Sequence, residues 1–115
     1  MGDKWQIELF LNEFRSCWLP ECYVVPREKN QQSLIELGLT PKQCREIILG
    51  LTFKDWVEGP MADEANPNDT ICTFGKKIGT AEIYIKLKIY HVRDEHHAKC
   101  LSFHKAEASL KHPYK

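Results

Sequence analysis

The sequence predicts a single α+β domain, residues 1–115, with N-terminal helices packed on one face of a C-terminal antiparallel sheet. Two observations predict it. Apolar residues recur at helical spacing through roughly the first fifty positions. From residue 71 the period changes to two, most clearly in AEIYIKLKIY, residues 81–90. Helices first and strands last make a helix layer on a meander, and 115 residues suffice for one modest core.

In the first helix, with Asp3 as its cap, Ile7, Phe10, Leu11 and Phe14 follow the i, i+3, i+4, i+7 rule, and Trp18 adds a turn before Pro20. CYVVP, residues 22–26, is short, β-branched and closed by proline, which suits an edge strand or extended chain. Residues 29–37 form a short helix, with Asn30 as a cap and Gly38 just past its end. Thr40-Pro41-Lys42-Gln43 reads as a capping box with proline at the first helical position. Cys44, Ile47, Ile48 and Leu51 line the buried face of that helix. Thr52 to Asp55 repeats the pattern and starts a brief turn through Trp56. GPMADEANPNDT, residues 59–70, lacks periodicity and predicts an exposed, mobile loop.

Three strands follow, 71–77, 81–91 and 100–104, with 92–99 as a polar connection. In the long strand Ile83, Ile85, Leu87 and Ile89 face the core, leaving Tyr84, Lys86, Lys88 and Tyr90 outside. In the last strand Leu101 and Phe103 are expected inside, and Cys100, Ser102 and His104 outside. The three tryptophans are expected to fill the core.

No apolar run approaches the roughly 20 residues that span a bilayer. The N-terminus lacks the basic start and apolar stretch of a signal peptide. Five cysteines without zinc-ribbon spacing fit a cytoplasmic protein with reduced thiols. His97, Cys100 and His104 would converge on a metal only in a helix, and a strand keeps i and i+4 roughly 13 Å apart. No metal or cofactor is therefore expected.

Net charge is zero, yet residues 1–75 hold 7 basic against 12 acidic side chains, and residues 76–115 hold 9 against 4. The positive side of a polarised surface then falls on the sheet. Tyr84, Lys86, Ser102 and His104 would lie side by side across neighbouring strands, with Lys76, Lys77 and Lys88 as further cations. Metal-free RNA cleavage needs a base for the 2′-hydroxyl, an acid for the leaving 5′-oxygen, and cations for the phosphorane-like transition state. Histidine suits the acid role. Lys86 and Lys88, both on the outer face, should tolerate charge reversal without loss of fold.

LGLTPKQCREIILGLTFKDW, TICTFGKK, TAEIYIKLKI and CLSFHKAE, in that order, resemble the motility quorum-sensing regulator (MqsR) type of toxin, a branch of the RelE-like fold, over about residues 30–107. The resemblance implies the toxin of a type II toxin–antitoxin pair, an mRNA endoribonuclease held inactive by a cognate antitoxin protein. It also implies that Tyr84 matches the family's strand tyrosine. His104 stands where MqsR-like toxins carry a catalytic lysine, and Glu58 where they carry a basic residue. Some RelE-like members pair a glutamate base with a histidine acid, which gives Glu58 and His104 those roles if the turn after Trp56 reaches the sheet. The neutral net charge departs from the usually basic family. A different class of function, a non-catalytic RNA- or protein-binding module on the same fold, requires only an exposed sheet face.

Overall fold

The computed structural model describes residues 3–18 and 24–114. It contains α1 (Lys4–Trp18), α2 (Glu28–Leu37), α3 (Pro41–Leu49), a single 3₁₀ turn (Phe53–Asp55), and strands β1 (Trp56–Ala62), β2 (Thr70–Ile78), β3 (Ala81–Val92) and β4 (Glu95–Lys105). The strands form one antiparallel sheet in the order β1-β2-β3-β4. The architecture is therefore α+β, as the sequence predicts.

The apolar stripe of α1 buries Ile7, Phe10, Leu11, Phe14 and Trp18. Phe10 stands 6.5 Å from Phe74, centroid to centroid, and joins helix to sheet. Ile83, Ile85, Leu87 and Ile89 of β3 are all buried in the same core, with Cys44 and Ile48 of α3. Both expected capping boxes form, Thr40 with Gln43 and Thr52 with Asp55, and Gly38 closes α2. Of the three tryptophans, Trp18 is buried, whereas Trp5 is 65% exposed, contrary to the expectation of a core role. Trp5 lies one position off the stripe that meets the sheet.

Four further expectations are corrected. Residues 56–62 form an edge strand rather than a turn entering a loop. Its pairing with β2 is broken by irregularities either side of Glu58, which hid the period from the sequence. Gly59 permits this path: its φ is +98°, and a Cβ there would lie 2.8 Å from the Ile71 carbonyl oxygen. The rest of that expected loop, residues 63–69, is tied down as part of the same correction, with Asp63 N–H donating to the Asp69 carbonyl and Asp69 N–H to that of Asn66. β4 starts at Glu95, because Arg93 and Asp94 both take positive φ and make a two-residue hairpin turn.

The third correction concerns parity in β4. A bulge opposite Lys86 and Leu87 sets Ser102 against Lys86 and Cys100 against Leu87, leaving Leu101 as the extra residue. Cys100, not Leu101, therefore joins Phe103 in the core, and both are fully buried. Ser102 and His104 keep the outward side. The fourth concerns Asn30, which caps nothing. It is 1% exposed, donating to the Val25 and Leu101 carbonyls and accepting from Phe103 N–H. Ser33 accepts from Lys105 N–H in the same way. An unpaired buried backbone group costs about 1–3 kcal/mol, so these two side chains seal the outer edge of β4. The extended chain at Val24 and Val25 continues the seal through a parallel bridge to Cys100. Cys22 and the other residues of 19–23 lie outside the described residues.

Candidate functional site

The outer face of the sheet is set by register. Tyr84 lies opposite His104, and Lys86 opposite Ser102. On the other side of β3, Tyr84 meets Gly75 and Lys86 meets Thr73, whose β1 partner is Glu58. Glu58, Thr73, Lys86 and Ser102 thus make one row across all four strands. Tyr84 and His104 stack, with ring centroids 5.4 Å apart and planes 26° off parallel. His104 Nδ1 lies 2.9 Å from the Lys105 carbonyl oxygen. Only a protonated Nδ1 can donate to that oxygen, so Nε2 is the nitrogen left to exchange a proton.

Not every cation expected here reaches the site. Lys77 lies on this face, opposite Glu82. Lys76 alternates to the other side and ion-pairs with Asp55 at 3.6 Å. Lys88 is on the face but occupied: its side chain is 14% exposed and donates to Asp63 at 2.6 Å, with Asp69 at 3.4 Å. Lys77 and Lys86 make no ion pair among the described residues, and Lys86 lies two residues from Tyr84 on β3.

The Asp63–Lys88 contact makes stability pH-dependent. The Lys88 hydrogen bond and the Ala65 N–H hold the Asp63 carboxyl below the usual carboxylate range. Partial burial alone would lower the Lys88 ammonium, but Asp63 and Asp69 outweigh it and hold the group above its ordinary value. A depressed carboxyl stabilises the fold fully above its unfolded value, about 4, and loses that contribution as pH falls through the folded value. The raised ammonium loses its contribution only at strongly alkaline pH. Acid unfolding followed by circular dichroism should therefore be shallower below about pH 4 for Asp63→Asn than for the parent. Identical acid limbs would contradict the contact.

The C-terminal segment, residues 106–114, crosses this face as a strap. Ala106 N–H donates to the Glu82 carbonyl at 2.8 Å, and Leu110 N–H to the Glu82 carboxylate at 2.7 Å. Gly75 admits the strap, since a Cβ there would sit 2.6 Å from Leu110 Cδ1 and 2.8 Å from His112 Cε1. Tyr114 ends the strap edge-on to Phe53 and Trp56. Between strap and sheet lies a cleft of about 380 Å³ lined by Tyr84, His104, Glu107, Ala108, Ser109 and Leu110. His104 and Glu107 also line a neighbouring cleft with Lys29 and Lys105.

Glu107 lines both clefts with His104, and Glu36 lines the second. Glu107 ion-pairs with Lys29. That hydrogen bond and charge, with a smaller part from His104, hold its carboxyl below the ordinary glutamate value. Glu107, at the end of CLSFHKAE, has no role legible in the sequence, because nothing local shows that the chain turns back over the sheet there. Glu58, by contrast, is exposed on the far edge strand, three strands from His104. At 4.7–4.9 Å per strand that is roughly 14 Å of backbone separation, too far for both side chains to act on one phosphate.

Other chemistries find little support among the described residues. Cys100 faces the core while His97 and His104 face outward, so the three do not converge on a metal. Burial pushes the Cys72 thiol up to about 12 and the Cys100 thiol well above its ordinary value, which keeps both protonated. A second apolar cleft, at Trp18, Val24 and Leu34, holds Arg45 and no acid. Comparison with protein-family models, with curated proteins and with solved structures returned no match.

Proposed function

We propose that this protein is a metal-independent RNA endonuclease of RelE-like type, acting on mRNA as the toxin of a toxin–antitoxin pair. The observation that carries the reading is the Tyr84–His104 stack beside the Lys86–Ser102 pair at a cleft holding one carboxylate. The sequence likeness to MqsR-type toxins supports the same activity.

In this mechanism Lys86 binds the non-bridging oxygens of one phosphate and stabilises the charge that grows on them in the transition state. Glu107 takes the proton of the 2′-hydroxyl, whose oxygen then bonds to phosphorus. The bond from phosphorus to the 5′-oxygen breaks, and His104 Nε2–H protonates that oxygen as it leaves. The products are a 2′,3′-cyclic phosphate and a 5′-hydroxyl. Tyr84 holds the imidazole plane by stacking and presents its phenol to the same cleft. Glu107 replaces Glu58 as the base, because it alone of the two shares a cleft with His104.

Producing the protein alone in a bacterial host tests the reading. Growth should arrest, and co-expression of the antitoxin, expected from the adjacent gene, should relieve the arrest. Normal growth with soluble protein accumulating, and RNA bound but uncut, would instead support a non-catalytic binding module.

A further inference from the structure

The far end of the same face repeats the stack. Tyr90 lies opposite His97, with ring centroids 5.4 Å apart and planes 25° off parallel. The matching values for Tyr84 and His104 are 5.4 Å and 26°. Both tyrosines hold even positions of β3, so both stacks face outward, and six residues of strand separate them by roughly 20 Å. Lys99 stands over the Tyr90 ring, 4.6 Å from its centroid, and makes no ion pair among the described residues. Its neighbour Lys88 is held by Asp63 and Asp69, which leaves Lys86 and Lys99 as the cations between the two stacks. Glu95 is 3.9 Å from His97 at the outer rim.

We propose that Tyr90, His97 and Lys99 form a second subsite that stacks a nucleobase of single-stranded RNA and binds its phosphate. The inference rests on the RNA-cleavage reading and extends it from a point of cutting to a footprint. Roughly 20 Å is more than one nucleotide spans, so the strand runs along β3 and β4 from the Tyr84–His104 cleft to the hairpin turn. Aromatic faces accept only bases freed from a duplex, and stacking tolerates any base, so the subsite lengthens the bound strand without reading its sequence. Lys99 supplies the phosphate contact at that end, and it withdraws from the Tyr90 ring to do so.

Binding of uncleavable 2′-O-methyl oligonucleotides, measured by fluorescence anisotropy in chelator, tests the subsite. Tyr90→Ala should weaken a single-stranded hexanucleotide by about tenfold while leaving a dinucleotide unchanged. Tyr90→Phe should bind the hexanucleotide as the parent does, and Lys99→Gln should flatten its salt dependence. Unchanged hexanucleotide affinity in Tyr90→Ala overturns the subsite, as does equal loss for the dinucleotide, or no binding of either by the parent. A parent that binds the oligonucleotides but leaves ordinary RNA uncut overturns the cleavage reading alone, and the Tyr90 series still decides the subsite.

Discussion

His104→Ala is expected to fold as the parent does and to lose roughly 10²–10⁴-fold in RNA cleavage, the usual contribution of a positioned general acid. Folding should survive because the imidazole is outside the core, meeting Tyr84 on one side and the Lys105 carbonyl on the other. RNA affinity should be largely retained, since it rests on Lys86, Lys99 and stacking on Tyr90. Glu107→Gln should remove the acid limb of the pH–rate profile, which lies below the ordinary glutamate range because Lys29 favours the carboxylate. Glu58→Gln should leave that limb in place. A folded His104→Ala protein that cuts at the parental rate would sink the proposed acid.

Lys88→Glu should have the largest effect on stability. It places a third carboxylate against Asp63 and Asp69 and removes the cation from Asp69, whose side chain is only 4% exposed. Leaving a buried carboxylate without its cation is strongly destabilising, so the loss should well exceed that of an ordinary surface substitution. Lys86→Glu, two residues away with no ion pair among the described residues to break, should cost within about 0.5 kcal/mol and act on RNA binding instead. Urea unfolding of the two variants measures the contrast. Equal midpoints would mean that Lys88 is the solvated strand lysine its sequence position suggests.

That pair of lysines marks where the sequence stops being informative. Strict alternation in AEIYIKLKIY puts Lys86 and Lys88 on one face, and the structure agrees. What neutralises Lys88 comes from residues 63 and 69, a loop whose docking is non-local and leaves no periodic trace. The same reasoning explains the helices. The α1 stripe and the two capping boxes are local signals and appear where expected. Asn30 resembles a cap by composition, but its partners on β4 lie 71 and 73 residues away.

Within the candidate site, the Tyr84–His104 and Lys86–Ser102 pairs were legible because β3 and β4 are regular up to the bulge. The bulge itself was not, so Leu101 and Cys100 exchange their expected sides. Glu58 was misplaced for a related reason. β1 carries two irregularities and pairs only with β2, so its hydrophobic pattern never settles into period two. The strap leaves one clue, Gly75, a glycine in a strand where another stretch of chain approaches closely.

On the proposed mechanism, the Tyr84–His104 cleft cuts RNA without a metal. Incubating the purified protein with single-stranded RNA in excess chelator, and identifying the new ends, tests it most directly. The expected result is 2′,3′-cyclic phosphate and 5′-hydroxyl ends, with the activity lost in His104→Ala. Intact RNA at high protein concentration, or 5′-phosphate ends that appear only when a divalent metal is added, would contradict it.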